Sequence, residues 1–458
     1  MAQINTLFPF TVRRRAPELI CPAKDTPCEL KLLSDIDDQD AFRNRVPVLM
    51  VYRDNSKMRN HNPVSVIKEA LAKVLVFYYP FAGRLREGPA RKLMVDCNGE
   101  GVLFIEADAD ITLKQFGEAL HPPFPCLDEL LYDVPGSFGT LNSPLLLIQV
   151  TRLLCGGFIF AIGHNHNMSD AFGIVQFMKA LGEIARGESL PSTLPVWERE
   201  LLNARDPPHV TCTHHEFDEM LNPNTDVTIR MNDMVLKSFF FGPIELLALH
   251  RFVPKHLKSC TTFDVVTTCL WLCRTIALQL DPEEESRIGF IVNARNKFSP
   301  PLPKGYYGNC SAFTVAISTV FDLLNKPFSH TLETLMKAKS SVNEEYMRSL
   351  ADLLVLKGRL DVTVFQNYVV NDLTRARFDV VDFGWGKPDY GGSGKTGYLD
   401  CSNYHPYTND KGESGILVPI YLPSFAMEKF VKQLKKMLAQ DNSHQLLQAN
   451  KLHAPSKL

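Results

Sequence analysis

The chain has 458 residues, too many for one hydrophobic core, so we expect two domains. Hydrophobic residues make up 45% of the chain and charged residues 22%, which is typical of a globular protein. The net charge of −2 gives no reason to expect nucleic-acid binding. No apolar run approaches the roughly 20 residues of a membrane-spanning helix, and the first residues lack the pattern of an export signal. We therefore expect no membrane partner and reduced cysteines.

The first part of the chain alternates helix and strand patterns. An apolar face at helical spacing predicts a helix from Pro63 to Tyr79, which Pro80 ends. β-prone runs predict strands at residues 10–12, 92–95, 101–105, 145–150 and 158–162. We expect two turns to join pairs of these strands into hairpins, one at Asn98-Gly99 and one at Gly156-Gly157.

Periodicity fades from about Gly187 to Val227, where prolines punctuate a long connection between two halves. We therefore expect an N-terminal domain at residues 1–190, a crossover linker at 191–227 and a C-terminal domain at 228–458. The patterns in the C-terminal domain predict two strands, 238–241 and 288–295, and three helices, 263–280, 332–357 and one capped by Ser424.

The stretch from Gly163 to Gly173 lies between a predicted strand and a predicted helix, and carries the pattern H-x-x-x-D at His166 and Asp170. One interpretation is structural: Asp170 caps the helix, and His166 is a core histidine with satisfied hydrogen bonds. The other is functional: imidazole titrates near neutral pH, so His166 takes a proton from an alcohol while Asp170 holds it in position. The spacing alone leaves both interpretations open.

Three other patterns favour structural interpretations. His164 is two residues from His166 and shares its strand face, but no third ligand has the spacing of a metal site, so we expect no metal. Cys269 and Cys273, four apart on a helix, are expected to be buried thiols. The run Gly391–Gly397 imitates a phosphate-binding loop, but an acidic residue replaces its first glycine, so we predict a flexible glycine loop.

The run Asp382-Phe383-Gly384-Trp385-Gly386 contains the D-F-G of protein kinases, but no H-R-D loop precedes it. Two glycines beside a tryptophan predict a tight, buried turn. No serine lies in a G-x-S-x-G elbow, which argues against an esterase of the usual α/β type.

The H-x-x-x-D pattern and the later D-F-G-W-G run, in this order, resemble the plant BAHD acyltransferases. Residues 77–85, 143–146, 292–295 and 305–309 are also similar to that family, so the resemblance covers essentially the whole chain. Within the family, residues 33–39 and 194–197 are similar to benzyl alcohol benzoyltransferases and fruit alcohol acyltransferases.

The resemblance implies an α/β fold of two domains with mixed sheets, each like chloramphenicol acetyltransferase, joined by the long crossover. A channel between the domains would admit acyl-CoA from one side and the alcohol from the other. The resemblance also implies that His166 is the catalytic base, that Asp170 supports the site by pairing with Arg295, and that Thr261 and Thr262 lie on the acyl-CoA side.

The family pattern implies less about the remaining residues. Gly384 and Trp385 would shape the CoA side away from the chemistry, while Asp382 is a second candidate catalytic residue because an acid–base role is sometimes assigned to it. Leu373 stands where some relatives have a tryptophan that helps to bind the oxyanion. The oxyanion donor and the role of His164 are therefore left open.

The predicted function is that of a CoA-dependent O-acyltransferase, with benzoyl-CoA and benzyl alcohol as favoured substrates and benzyl benzoate as product. The CoA thioester is a substrate, and no cofactor or oligomer is expected. Three alternatives remain. They are an enzyme for aliphatic acyl-CoA and small volatile alcohols, a non-catalytic relative that binds a small molecule or partner, and a thioester hydrolase.

The sequence closes on Ser456-Lys457-Leu458, a tripeptide that the peroxisomal import receptor recognises. The polar, proline-containing residues before it predict an exposed tail. We therefore expect a peroxisomal location, with the cytoplasm as the alternative.

Overall fold

The computed structural model describes residues 10–116, 124, 127–137, 139–218, 233–360, 368–394, 401–409 and 411–439. Within these residues, no helix combines the length and the apolarity that crossing a membrane requires. The described chain folds into two large mixed sheets, each packed against helices, and one small sheet.

The strands of the described residues are β1 Val12–Arg14, β2 Glu18–Ile20, β3 Leu30–Leu32, β4 Arg45–Tyr52, β5 Arg84–Glu87, β6 Leu93–Asp96, β7 Val102–Ala109, β8 Leu146–Leu153, β9 Phe158–Asn165, β10 Met234–Phe241, β11 Glu285–Asn293, β12 Ser311–Thr319, β13 Tyr368–Asp372, β14 Tyr390–Ser393, β15 Cys401–Thr408 and β16 Ser414–Pro423.

The helices of the same residues are α1 Pro63–Val74, α2 Leu113–Phe116, α3 Leu127–Leu130, α4 Ala171–Ala185, α5 Pro243–His250, α6 Thr262–Leu278, α7 Val320–Asn325, α8 Phe328–Ser341, α9 Glu344–Lys357 and α10 Ser424–Leu438.

The first sheet has seven strands, in the order β1-β7-β8-β9-β4-β14, with β2 also paired to β7. The second sheet has six, in the order β10-β16-β15-β13-β11-β12. Parallel pairs, such as β7 with β8 and β13 with β15, stand beside antiparallel ones in both sheets. This arrangement confirms the predicted α/β class with mixed sheets.

Each large sheet has its own apolar core. Helices α1 and α4 bury Ile67, Leu71 and Phe177 in the first core, while α6 and α10 bury Trp271 and Phe430 in the second. Burying a large apolar side chain contributes about 1.5–3 kcal/mol relative to leaving it exposed. The apolar faces predicted from helical spacing therefore hold these helices on the sheets. Cys269 and Cys273 are buried in the second core, as predicted.

The structure confirms one predicted hairpin and corrects the other. Strands β8 and β9 pair antiparallel across a turn at Gly156, which has φ +83°. Strand β6, in contrast, pairs with β3 and β5 in the small sheet, while β7 belongs to the first large sheet. Asn98-Gly99 lies in the segment between β6 and β7, where Gly99 has φ +69°, and this segment connects two sheets. A local turn signal does not specify which strands will pair.

Two helix boundaries also differ from the prediction. The single helix predicted at 332–357 is two helices, α8 and α9, separated at Val342 and Asn343. The Asn343 side chain accepts a hydrogen bond from the Tyr346 N–H at 2.9 Å and so caps α9. Ser424 is the first residue of α10, and Pro423 precedes it at the cap position.

Residues 390–393 cross the predicted domain boundary. They form β14, which pairs antiparallel with β4 of the first sheet. Residues 391–393 of the glycine-rich run are therefore in a strand instead of the predicted flexible loop, Gly394 follows as a bend, and residues 395–397 lie outside the described residues. The division between 1–190 and 228–458 does not apply to this segment, because it completes the first sheet.

The D-F-G-W-G run forms the tight, buried turn that its sequence predicts. Gly384 and Gly386 have φ values of +109° and +95°. The Asp382 carboxylate accepts hydrogen bonds from their N–H groups at 2.7 and 2.8 Å. Phe383 and Trp385 are buried in the first core. The turn is therefore a structural element of the first half, although it lies late in the chain.

Gly182 of α4 packs directly on this turn, since a methyl group at Gly182 would lie 2.5 Å from the Asp382 carbonyl oxygen. In an unobstructed helix, alanine is more stable than glycine by roughly 0.5–1 kcal/mol. Here we expect Gly182→Ala to lower the free energy of unfolding by about 1–3 kcal/mol, because helix and turn must separate. Urea denaturation measures this change.

Lys179→Ala is the matched control, because Lys179 lies on the exposed face of the same helix. Its stability should stay within about 0.5 kcal/mol of wild type. A Gly182→Ala variant as stable as the wild-type protein would contradict the close packing of α4 on the turn.

Candidate active site

A cavity of about 530 Å³ is lined by residues of both large sheets. The first sheet contributes Val46, Val48 and His164, and the second contributes Ile291 and Asn371. Small-molecule sites in proteins commonly have volumes of about 300–1,000 Å³. This cavity is therefore the candidate active site, and it depends on both halves of the chain.

His166 lies on the cavity wall, immediately after β9 ends at Asn165. Its N–H donates to the Asn44 carbonyl at 3.0 Å, and its carbonyl accepts from the Asn309 side chain at 2.8 Å. The Phe42 ring stacks on the imidazole, with 4.4 Å between ring centroids and 10° between ring planes. Both the backbone and the ring of His166 are thus held in position.

Burial lowers the pKa of His166 from its usual value, although the backbone around it, Asp170 and the Asn309 side chain oppose the shift. The imidazole is therefore neutral at neutral pH. Its Nδ1 is enclosed and has no hydrogen-bond partner among the described residues. A neutral ring of this kind at a cavity favours the interpretation as a base over that of a satisfied core histidine.

Asp170 caps α4 and also binds the second half of the chain. Its Oδ1 accepts from the N–H groups of Phe172 and Gly173 at 3.1 and 3.0 Å. Arg295 forms two hydrogen bonds to the carboxylate, at 2.7 and 2.8 Å, and the Cys310 N–H adds another at 3.1 Å. The Asp170–Arg295 ion pair that the resemblance implies is present.

Burial alone would raise the pKa of Asp170, but the charge and hydrogen bonds of Arg295 and the backbone N–H groups outweigh it and lower the pKa. The carboxylate is therefore charged, and hydrogen bonds occupy both of its oxygens. It has no capacity left for proton transfer or nucleophilic attack. Its contribution is to hold the loop between β9 and α4 against the second sheet.

A buried cluster around Asp37 holds the same loop, and sequence reasoning missed it. Arg199 donates to both oxygens of the Asp37 carboxylate at 2.8 Å, and the Asn309 side chain donates to it at 2.8 Å. Arg199 also donates to the Met168 carbonyl at 2.8 Å. No sequence signal joins these residues, because they lie in segments far apart in the chain.

Asp382 does not line the cavity. Oδ1 of its carboxylate accepts from the N–H groups of Gly384 and Gly386, and its backbone carbonyl accepts from Arg186. The geometry therefore gives Asp382 no part in proton transfer, contrary to its candidacy as a second catalytic residue. Gly384 and Trp385 lie off the cavity wall as well, and shape the turn.

Basic side chains border the side of the cavity formed by the second half, and the carboxylates of Glu216 and Asp372 also line the cavity. Thr261 borders the cavity and caps α6, at whose start Lys339 forms an ion pair with Asp264. Lys339, Lys297 and Arg375 all border the cavity. Lys297 and Arg375 are exposed, and neither has an ion pair within the described ranges. Lys297 and Arg375 are therefore the cations on this side that remain available to an anionic ligand.

The remaining candidates have different positions. Thr262 begins α6 and does not line the cavity. Leu373 lines it with an apolar side chain, and its N–H already donates to the Tyr404 carbonyl at 3.1 Å, so it offers no oxyanion donor. His164 lines the cavity beside His166. In the part of the chain that the structure describes, no three His, Cys, Asp or Glu side chains group so that they could hold a metal ion.

The chain is similar to known transferases over most of its length. A family profile described as "Transferase family" matches residues 10–437. Benzyl alcohol O-benzoyltransferase of Petunia hybrida is 62% identical, over 94% of this chain and 95% of that protein. 13-Hydroxylupanine O-tigloyltransferase of Lupinus albus is 54% identical, over 98% of this chain and 100% of that protein.

Among solved structures, vinorine synthase has the same fold, with a TM-score of 0.69 at 20% identity over 94% of this chain and 99% of that one. The family profile and the relative at 62% identity, which agree with the histidine-bearing cavity, identify the chain as an acyltransferase. The chain belongs to the BAHD family of acyl-CoA-dependent alcohol acyltransferases.

Arg295→Met should leave the charge of Asp170 buried without a cation. Removing one partner of a buried pair costs about 3–5 kcal/mol, so we expect that loss in the free energy of unfolding at neutral pH. In the wild-type protein the lowered pKa of Asp170 stabilises the fold above the carboxyl's unfolded pKa, and this stabilisation is lost as the pH falls. In the variant that pKa rises, so acid neutralises the buried charge.

The stability difference between the two proteins should therefore shrink as the pH falls from neutral towards about 4. Urea denaturation at several pH values measures it. Arg377→Met removes an exposed arginine paired with Asp379 and is the control, with little change expected at any pH. A difference that stays constant with pH would contradict the assigned role of the Asp170 charge.

Proposed function

We propose that this enzyme transfers benzoyl from benzoyl-CoA to benzyl alcohol, giving benzyl benzoate and CoA. The observation that carries the proposal is the neutral imidazole of His166 on the wall of a cavity shared by both halves. The relative named for benzyl alcohol O-benzoyl transfer, at 62% identity, supports the choice of substrates.

His166 acts as the general base. Its Nε2 takes the proton of the alcohol as the alcohol oxygen attacks the thioester carbonyl, while Nδ1 is enclosed by the protein. The tetrahedral oxyanion collapses, the C–S bond breaks, and His166 returns the proton to the CoA thiolate. General acid–base catalysis contributes about 10²–10⁴ in rate. The remaining rate acceleration must come from the orientation of both substrates in the cavity.

The thioester is a substrate, and the reaction needs no further cofactor or metal, because a thioester is already an activated acyl donor. The transition state requires only proton transfer and stabilisation of the oxyanion charge. Leu373 cannot donate to that oxyanion, so another polar group of the cavity does so.

The cavity divides the two chemical parts of an acyl-CoA. Lys297 and Arg375 on the side of the second half suit the phosphates of CoA, because cations bind phosphate oxygens through charge-assisted hydrogen bonds. Val46 and Val48 on the side of the first sheet suit an aromatic acyl group and an aromatic alcohol. The thioester carbonyl then lies near His166, between these two regions.

A second candidate function is transfer of an aliphatic acyl group to another alcohol. The relative named for tigloyl transfer, at 54% identity, favours it. A non-catalytic binder would not need a neutral imidazole at the cavity, and a thioester hydrolase would not need an alcohol. Product analysis separates all of these functions.

Purified protein supplied with benzoyl-CoA and benzyl alcohol should form benzyl benzoate, identified by mass spectrometry. Benzoic acid alone would indicate a hydrolase, an ester formed solely from aliphatic acyl-CoA would indicate the second candidate, and no product from any acyl-CoA would indicate a binder. We expect His166→Ala to keep the fold and to lower kcat by about 10²–10⁴.

His61→Ala is the control, because His61 is exposed and does not line the cavity. It should turn over at nearly the wild-type rate. A His166→Ala enzyme with near-normal ester formation would reject the mechanism.

We also propose that the protein is imported into peroxisomes through Ser456-Lys457-Leu458 and acts there as a monomer. The tripeptide, which lies outside the described residues, has the form of a receptor-read peroxisomal signal. Peroxisomal β-oxidation produces acyl-CoA and would supply the donor. The alternative location is the cytoplasm.

Deletion of the last three residues should change punctate peroxisomal fluorescence of an N-terminally tagged protein into diffuse fluorescence. The control variant carries His453→Ala and Pro455→Ala and keeps the tripeptide, so its fluorescence should stay punctate. Peroxisomal fluorescence after the deletion would contradict the proposal. Light scattering of the purified protein tests whether it is a monomer.

A further inference from the structure

His164 is a buried polar residue for which the proposed reaction has no use. It lies on β9, opposite Val46 of β4 and Leu146 of β8. Only 2% of its surface is exposed, yet it borders the cavity. Its ring centroid lies 6.1 Å from that of His166, and no hydrogen bond joins the two rings. His166 therefore does not provide the hydrogen-bond partner that the His164 ring lacks.

The wall that contains His164 is a continuous face of the first sheet. Residues directly opposed in an antiparallel pair point to the same face, as do residues two apart on one strand. His164 is opposite Val46, and Val48 is opposite Ser393, so these four side chains share a face. All four line the cavity. A substrate ring packed on the valines therefore lies next to His164.

His164 is neutral in the cavity. Burial, with a smaller contribution from His166, lowers the pKa of His164 to about 3. A neutral imidazole has one N–H donor and one lone pair that accepts. The backbone carbonyls of Ser169 and Val46 favour the N–H of the ring. Carbonyls accept hydrogen bonds, so neither of them can donate to the lone pair.

The described residues supply no donor for this lone pair. Nδ1 of His164 is enclosed by the protein, so a ligand in the cavity reaches the ring at its other nitrogen, Nε2, and no described side chain donates a hydrogen bond to Nε2. A buried acceptor without a donor destabilises the protein, and a ligand that brings a donor removes this penalty on binding. Benzyl alcohol and benzoyl-CoA carry no polar group on their rings, so they would leave His164 without a donor.

We propose that His164 selects a substrate whose aromatic ring carries a second hydroxyl group, which donates a hydrogen bond to this imidazole. The inference rests on the acyl transfer proposed above, and it narrows the substrate class to a hydroxylated aromatic alcohol or a hydroxylated aromatic acyl group. The second hydroxyl keeps its proton, while His166 takes the proton of the reacting one. His164 therefore determines specificity and takes no part in bond making.

Matched substrates test this inference in two arms. One arm compares kcat/KM for the three hydroxybenzyl alcohols with that for benzyl alcohol, using benzoyl-CoA. The other compares hydroxybenzoyl-CoA with benzoyl-CoA, using benzyl alcohol. In one arm, His164→Leu should lower the preference for a hydroxylated substrate about tenfold, which is the size of one neutral hydrogen bond. The arm that responds identifies the substrate that reaches His164.

Two further variants separate polarity from shape. His164→Gln keeps a polar side-chain atom near the position of Nε2 and should restore part of the preference. Val46→Ala reshapes the same wall without a change in polarity, so it should alter both members of each pair by the same factor. A Val46→Ala enzyme that loses the preference as His164→Leu does would overturn the inference.

Nitrogen NMR of the wild-type protein gives a readout that does not require turnover. The His164 signal should shift with a hydroxylated substrate and stay in place with its unsubstituted partner. Unchanged preferences of His164→Leu in both arms, with ester still formed, would overturn the inference and leave the acyl transfer intact. Absence of any ester with the wild-type enzyme would instead reject the proposed function, and the NMR shift would still decide the role of His164.

Discussion

The buried charge of Asp37 is the constraint on which the geometry of the site depends. Its enclosed carboxylate accepts hydrogen bonds from the Ser34 hydroxyl, the Arg199 guanidinium and the Asn309 amide. A buried carboxylate that loses its cation costs about 3–5 kcal/mol, so the two halves and the crossover must meet at this point. Arg199 and Asn309 also hold carbonyl groups of the loop after β9. Assembly of the fold therefore also places the base.

A second group of residues, around His214, differs from the candidate active site in its access to substrate. Ser349 Oγ lies 3.0 Å from Nε2 of His214, whose Nδ1 lies 3.0 Å from Glu216, in the order found in serine hydrolases. Ser349 is fully buried, and its Oγ accepts from the N–H groups of Thr211 and Cys212. No substrate reaches it. His166 borders the cavity, whereas His214 and Ser349 do not. Access to substrate, more than the types of neighbouring residue, therefore decides which histidine can take part in catalysis.

The local part of the site is predictable from the sequence, and the non-local part is not. The strand, the H-x-x-x-D loop and the helix that Asp170 caps are contiguous, so spacing predicts all three. The partner Arg295 follows from family resemblance alone, and Arg199 follows from neither. The wrong hairpin at Asn98-Gly99 and the unexpected strand β14 have one cause. Local patterns predict strands and turns, whereas pairing partners are decided by packing across the whole chain.

The position of β14 also fixes when the first sheet can form during synthesis. Strand β4 is made early, but its outer neighbour, Tyr390–Ser393, is among the later parts of the chain to be made. Until then β4 presents an unpaired edge of backbone N–H and carbonyl groups, which other strands can bind. Domains usually fold from the N-terminus as they emerge from the ribosome. Here the N-terminal half stays incomplete for most of translation, so the wall that holds His164 forms late.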